Sequence, residues 1–195
     1  EIGKANDTGT ITTFLPDKEI FKEATFNYKI VEDLVRERAY LVPGLKFHLE
    51  NETTDQVINF YFEGGITSLA SFLNHHKKPL HPPIFIKGEE EGVGVEIAIQ
   101  FNDGFSENIE SFVNVINTKD GGTHLTGFRI ALTRAINDYA KKIGLIKEGN
   151  GGFTGDDVKE GLTAVVAVRM PTDKIQFESR TKAKLNNAEV QGITA

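Results

Sequence analysis

Hydrophobic residues recur at helical spacing in the middle of the chain. Within residues 123–143 they follow one another at three- and four-residue steps, beginning with Leu125, Phe128 and Leu132, which predicts an amphipathic helix. Thr123 is the expected N-cap of this helix and Gly144 its expected stop. The same pattern predicts an earlier helix and a short amphipathic segment, at residues 26–40 and 66–73.

Other segments show the patterns that are typical of β-strands. In residues 93–101 every second residue is Val, Ile or Phe, which predicts the clearest strand of the chain. Residues 162–168 are apolar on both faces, which predicts a central strand that is covered on each side. The remaining predicted strands are residues 10–14, 45–50, 57–62 and 112–116.

The turns between these segments suggest how the strands pair. A polar loop separates residues 45–50 from 57–62, which indicates an antiparallel hairpin. The turn Asn102-Asp103-Gly104 follows residues 93–101, so we expect residues 112–116 to pair with that strand. Strands and helices mix without regular alternation, so the predicted fold class is α+β.

Composition narrows the class of protein further. A chain of 195 residues has room for one or two domains, and without Cys it forms neither disulfides nor Cys-based zinc sites. Its strongly apolar runs are far shorter than the ~20 residues that a membrane span needs. The first residue is Glu1 and the sole Met is Met170, so we expect a fragment or a processed product, with the cytoplasm as its location.

Charge is distributed unevenly along the chain. The net charge is −6, from 22 basic and 28 acidic residues. Residues 86–110 contain seven acids and one base and so account for −6 by themselves, while basic residues concentrate in residues 129–147 and 169–184. A free-standing nucleic-acid binder is usually basic overall, so this balance favours solvated basic helix faces.

Spacing alone yields no complete catalytic site. His75, His76 and His81 lie close together in the sequence, but no carboxylate stands at a matching spacing, so a surface turn is favoured over a metal site. Gly121-Gly122 precedes the long predicted helix without the ending of a phosphate-binding P-loop, which favours a tight turn.

Residues 180–184 contain three bases, Arg180, Lys182 and Lys184. Three cations beside the Thr181 hydroxyl can neutralise a phosphate. The other interpretation is an exposed cationic helix start, and spacing by itself favours it.

Four ordered motifs resemble those of one protein family. They are residues 100–109 (QFNDGFSENI), 116–134 (INTKDGGTHLTGFRIALTR), 155–162 (GDDVKEGL) and 176–185 (QFESRTKAKL). Collinear along essentially the whole chain, they closely resemble the B subunit of bacterial DNA gyrase, a type II topoisomerase. The B subunit of topoisomerase IV is the near alternative.

The resemblance implies a domain layout and a function. Residues 1–63 would be the C-terminal part of a GHKL-type ATPase domain, and residues 64–195 a transducer domain that resembles domain two of ribosomal protein S-five. In this family ATP binding dimerises the B subunits and closes a gate on DNA, and the enzyme performs strand passage or supercoiling. The implied partners are DNA, the gyrase A subunit and a second copy of the B subunit. The implied cofactor is ATP with Mg²⁺, held by the full-length protein and not by this chain alone.

The resemblance also assigns roles to individual residues. Lys182 matches the lysine that reaches the γ-phosphate of ATP, and Thr10 matches the threonine that supports adenine recognition. Arg129 lies in the Gly-Phe-Arg motif of the helix that borders the DNA cavity. With Arg134 and Lys141 it would contact DNA phosphates without reading bases.

The chain departs from the family pattern in two respects. Arg180 stands where the family usually has Gln, so this cation either strengthens the phosphate contact or points to solvent. The general-base Glu, the magnesium-binding Asn and the glycine-rich lid would lie upstream of residue 1, so we expect no ATP turnover by this chain alone. Residues 135–139 (AINDY) favour gyrase over topoisomerase IV. A nucleotide-independent DNA-binding or scaffold module stays open as the alternative function.

Overall fold

The structure is a computed structural model that describes residues 8–22, 25–147 and 151–195. The helices are α1 (Tyr28–Leu41), α2 (Ile66–Leu73), α3 (Thr123–Lys142), α4 (Gly155–Val158) and α5 (Ala188–Ile193). The strands are β1 (Phe47–Asn51), β2 (Gln56–Phe60), β3 (Ile84–Glu90), β4 (Val93–Phe101), β5 (Asn108–Val113), β6 (Ile116–Asn117) and β7 (Leu162–Arg169). The predicted α+β class is confirmed. Within the ranges described, no helix combines the length and the apolar character that crossing a membrane requires.

Five strands form the main sheet, in the order β3-β4-β7-β5-β6. Strand β7 lies at its centre, antiparallel to β4 and parallel to β5. A parallel neighbour requires the chain to return to the same end of the sheet, and α3 lies in that return connection. Neighbouring Val165 and Val166 on β7 are both 0% exposed, so the predicted central strand, covered on each face, is confirmed.

Each face of the sheet has its own hydrophobic core. On one face, apolar residues of β4 and β7 such as Ile97 and Val166 pack with Phe128 of α3 and Val190 of α5. On the other face, Val165 packs in a cluster with residues of α2 and with Tyr40 and Leu41 at the end of α1. The last turn of α1 therefore belongs to the core of the main sheet.

The first helix and the hairpin that follows it agree with the sequence pattern. The Asn27 side chain caps α1 by accepting a hydrogen bond from Ile30 N at 3.3 Å. Strands β1 and β2 pair antiparallel, with Leu49 opposite Ile58. The Arg169 side chain of β7 donates to the carbonyl of Leu41 at 3.3 Å, which joins the end of α1 to the main sheet.

Three local predictions are wrong. Residues 8–17 contain neither helix nor strand; a strand needs a neighbour to hydrogen-bond with, and β-branched composition at 10–14 does not supply one. Strand β5 occupies residues 108–113 and pairs with β7 and β6, while the neighbours of β4 are β3 and β7. The N-cap of α3 is Gly122, so Thr123 already lies inside the helix.

Candidate functional site

Residues 177–185, which we call the lysine loop, form a short hairpin near the C-terminal end of the chain. Phe177 and Leu185 pair antiparallel at its base. Glu178 N donates to the carbonyl of Lys184 at 3.0 Å, and the Lys184 ammonium lies 3.2 Å from the Glu178 carboxylate. The base of the loop is thus closed by backbone pairing and by one ion pair.

The tip of the lysine loop presents two cations. Lys182 N donates to the carbonyl of Ser179 at 3.1 Å, which closes a tight turn, and the φ angle of Lys182 is 57°. The side chains of Arg180 and Lys182 are exposed. Neither takes part in an ion pair with another described residue. The alternative of a cationic helix start is wrong, since this segment is a turn and α5 begins only at Ala188.

Backbone hydrogen bonds fasten the lysine loop to the segment just before α3. Asp120 N donates to the carbonyl of Ala183 at 2.9 Å, and Leu185 N donates to that of Gly121 at 3.1 Å. Thr123 N donates to the carbonyl of Leu185 at 3.2 Å. The position of Lys182 is therefore set by the entry to α3, about 60 residues earlier in the sequence.

Gly122 makes this close approach possible. Its φ angle is 138°, a conformation that side chains rarely adopt. A Cβ atom at this position would lie 2.6 Å from Leu185 N and 2.8 Å from Leu185 Cβ. The tight turn that the sequence predicted at Gly121-Gly122 is present, and it serves to bring the lysine loop against the helix.

Three buried polar side chains lie beneath the same turn. Ser111 of β5, Thr118 and His124 of α3 are 4%, 1% and 0% exposed. The Ser111 and Thr118 hydroxyl oxygens are 2.8 Å apart, and His124 Nε2 lies 3.1 Å from Thr118 Oγ1. Burial lowers the pKa of His124 to about 4, so the ring is neutral at physiological pH.

The histidines considered for a metal site have other partners. His81 Nε2 accepts a hydrogen bond from Phe101 N at 3.0 Å, and the ring of His75 stacks on Phe72 with 5.0 Å between centroids. In the part of the chain that the structure describes, no group of three or more His, Asp or Glu side chains could hold a metal ion.

The three cations predicted to contact DNA do not share one face of α3. Arg129 lies 2.6 Å from the carboxylate of Glu107. Arg134 and Lys141 are exposed and are seven residues apart, close to two helical turns, so they lie on one face; Arg129 is about 140° away around the helix. Arg134 also donates to the carbonyl of Ala195. Two of the three cations are thus neighbours on the surface, and the third is paired elsewhere.

Thr10 lies in an exposed segment without helix or strand. Among the described residues, no hydrogen bond joins it to the lysine loop. Its role in adenine recognition stays a prediction.

The buried group of Ser111, Thr118 and His124 was not singled out from the sequence. A usable signal was present, because His124 stands four residues before Phe128 and so lies on the buried face of the predicted helix. A histidine on an apolar helix face needs a hydrogen-bond partner. That the partner is Thr118, six residues away, was not readable from spacing.

Comparison with known proteins places these features in a family. The model of the DNA gyrase B family matches residues 65–195. The DNA gyrase B protein of Halalkalibacterium halodurans is 49% identical over 99% of this chain and 30% of its own length. The corresponding B protein of DNA topoisomerase 4 from Bacillus subtilis is 45% identical over 98% of this chain and 29% of its own length. The chain thus spans less than a third of the length of these two relatives.

Solved structures share the fold as well. The 43K ATPase domain of Thermus thermophilus gyrase B, solved in complex with an aminocoumarin, is 40% identical to this chain. The match covers 92% of this chain and 49% of that one, with a TM-score of 0.78.

Proposed function

The chain belongs to the DNA gyrase B family, and from this premise we propose that it is the part of a type II topoisomerase B subunit that couples ATP to closure of a DNA gate. Residues 1–63 would end the ATPase domain and residues 64–195 would form the transducer. The start of the family match at residue 65 supports this division. Packing of Tyr40 and Leu41 into the core of the main sheet gives the two parts a mechanical connection.

Lys182 carries the proposal. Its ammonium group is exposed at the tip of a loop that hydrogen bonds fix to α3, and no carboxylate of the described residues pairs with it. A lysine in this situation is a compact point charge for a terminal phosphate. ATP supplies that phosphate, and the chain supplies the cation that binds its terminal group.

The partners and the cofactor belong to the same proposal. They are DNA, the gyrase A subunit and a second copy of the B subunit, with ATP and Mg²⁺ in the complete protein and the cytoplasm as location. The matched relatives include B proteins of gyrase and of topoisomerase 4, at 49% and 45% identity, so topoisomerase IV remains the alternative within the family. The DNA contacts we propose are made by Arg134 and Lys141, with Arg129 contributing where Glu107 releases it.

The test is Lys182→Ala in a complete B subunit that carries this chain, combined with the gyrase A subunit. A charge-assisted hydrogen bond contributes about 1.5–3 kcal/mol, so we expect ATP turnover and supercoiling to fall roughly 10- to 150-fold. Lys184→Ala is the matched control, since that ammonium is already paired with Glu178, and Arg180→Gln restores the residue usual in the family. Both should retain activity.

Wild-type turnover in the Lys182→Ala protein would show that the proposal is wrong. If such a protein also bound duplex DNA equally well with and without ATP, the nucleotide-independent DNA-binding or scaffold module would be the better assignment.

A further inference from the structure

Ser111, Thr118 and His124 form a polar group that the proposed ATP contact does not yet explain. Burying hydroxyl and imidazole groups costs free energy unless each is hydrogen-bonded, and an apolar trio would fill the same space. These side chains are 4%, 1% and 0% exposed, and they lie where β5, the segment after β6 and the first turn of α3 meet. Their hydrogen bonds therefore hold three separate pieces of backbone together.

The donors and acceptors in this group follow from the distances together with the number of protons that each side chain carries. The Thr118 hydroxyl lies 2.9 Å from the carbonyl of Ser111, and the Ser111 hydroxyl lies 3.0 Å from the carbonyl of Thr118. Since the Thr118 proton goes to the Ser111 carbonyl, the 2.8 Å contact between the two hydroxyl oxygens uses the Ser111 proton, which the Thr118 carbonyl and Thr118 Oγ1 share. The second lone pair of Thr118 Oγ1 accepts from His124 Nε2–H at 3.1 Å.

The remaining ring nitrogen agrees with this assignment. His124 Nδ1 has no hydrogen-bond partner among the described residues. A buried N–H without a partner is rarer and costlier than an unused acceptor, so the proton belongs on Nε2. His124 thus acts as a neutral donor that fixes the Thr118 side chain.

Thr118 connects this group to the lysine loop. Its carbonyl accepts from Gly121 N at 2.8 Å, and the Gly121 carbonyl in turn accepts from Leu185 N at 3.1 Å. Asp120, between them, donates to Ala183, the residue next to Lys182, at 2.9 Å. The loop is therefore attached to a four-residue stretch of backbone whose first residue is held by the buried group.

We propose that Ser111, Thr118 and His124 are positioning residues that hold the lysine loop so that Lys182 meets the terminal phosphate of a nucleotide. The proposal rests on the proposed function of Lys182. A cation on a fixed backbone loses less conformational entropy when it binds than one on a mobile loop. Loosening the buried group should therefore weaken binding of a triphosphate more than binding of a diphosphate.

The experiment uses a complete B subunit that carries this chain. Thr118→Val removes the hydroxyl at nearly constant volume, and His124→Leu removes the ring donor. We expect each to weaken binding of a non-hydrolysable ATP analogue on the order of tenfold, with ADP binding changed less than about twofold because ADP lacks the phosphate that Lys182 meets. Thr118→Ser and His124→Gln keep a hydroxyl and an N–H donor and should recover most of the affinity. Isothermal titration calorimetry measures the affinity for each of the two ligands. If His124→Leu does not fold, the comparison of Thr118→Val with His124→Gln tests the proposal instead.

A double-mutant cycle separates positioning from general stability. In a Lys182→Ala background, Thr118→Val should cause no further loss of affinity for the ATP analogue, because the group it positions is gone. An equal loss in that background, or an equal loss for ADP, would overturn the inference. No effect of Lys182→Ala by itself would instead remove the proposed function, so the two failures are distinguishable.

Discussion

Two lysines of the lysine loop differ in what surrounds their ammonium groups. Lys184 lies 3.2 Å from the Glu178 carboxylate, whereas Lys182 is exposed and has no such partner among the described residues. To bind a phosphate, Lys184 would first have to leave a carboxylate. Lys182 has no such competition, and this difference makes it, rather than Lys184, the lysine of the loop suited to an anionic ligand.

His124 makes the stability of the fold depend on pH. Burial lowers its pKa from 6.5 to about 4, so between these values the unfolded chain binds a proton that the folded chain does not. The stability that neutral His124 contributes to the folded state is fully present above pH 6.5 and is lost as the pH falls towards 4. The difference corresponds to about 3 kcal/mol in the free energy of unfolding. Urea titrations at pH 7 and pH 4.5 measure it.

The control for this pH dependence is the substitution of an exposed histidine. His124→Gln should remove this part of the pH dependence, whereas His76→Gln, at an exposed position, should keep it. An unchanged pH dependence in His124→Gln would contradict the assignment.

At the scale of elements, the proposed functional unit is the contact between the lysine loop and the segment that leads into α3. Neither part holds Lys182 in place alone. The loop is a turn closed by few hydrogen bonds, and it docks on backbone groups of Asp120, Gly121 and Thr123 at the entry to α3. Gly122 lies where the lysine loop contacts the segment before α3, so a substitution at Gly122 tests how closely the loop and this segment must approach.

Two glycines separate the effect of close approach from that of backbone strain. Gly122 and Gly144 both have positive φ angles, 138° and 74°, but a Cβ on Gly144 would meet nothing within 4 Å. Gly144→Ala should cost about 1 kcal/mol of stability from strain and leave affinity for the ATP analogue unchanged. Gly122→Ala should cost more and weaken that affinity, because the new methyl group pushes the loop away. Denaturant titrations measure the free energy of unfolding, and calorimetry measures the affinity for the ATP analogue. Equal changes in both quantities for the two substitutions would contradict the close contact between the lysine loop and Gly122.

At the scale of the whole molecule, charge is distributed unevenly between two stretches of the chain. The acidic residues 86–110 include strands β3 and β4, whereas basic residues concentrate in and after α3. The proposed DNA contact is therefore expected on the face of α3 that carries the exposed Arg134 and Lys141. The acidic region keeps the net charge negative, so such binding should be weak in this chain alone.

Removal of cations from α3 tests this orientation. Each phosphate contact contributes a salt dependence of about −0.9 in the slope of log K against log salt concentration. Arg134→Ala and Lys141→Ala should each make that slope less steep by about 1, and the change should be the same for different DNA sequences. Arg129→Ala should have a smaller effect because Glu107 already compensates its charge, and Lys87→Ala in the acidic region should have none. Equal slopes for all four variants in a binding titration would rule out this DNA face.

The elements that the sequence predicted well are those whose own pattern of hydrophobic residues indicates which positions are buried. The predicted helix 123–143 is observed as Thr123–Lys142 and the predicted strand 162–168 as Leu162–Arg169. Strand β7 buries a continuous run of residues, and α3 packs Leu125, Phe128 and Leu132 from one face against the core. Strand β3 was not predicted, since every one of its residues is exposed and its sequence shows no alternation between buried and exposed positions. It is ordered by pairing with β4.

The sequence by itself determined the main helices, the central strand, the fold class and, through its motifs, the family and the interest in Lys182. Only the tertiary structure decided which strands are neighbours, that α3 returns the chain to make β5 and β7 parallel, and that the lysine loop docks on the turn before α3. The reason is physical: a periodic pattern records which face of one element is buried, but not what buries it. Ala183 meets Asp120, and His124 meets Thr118, through hydrogen bonds that form only once the sheet and α3 are packed.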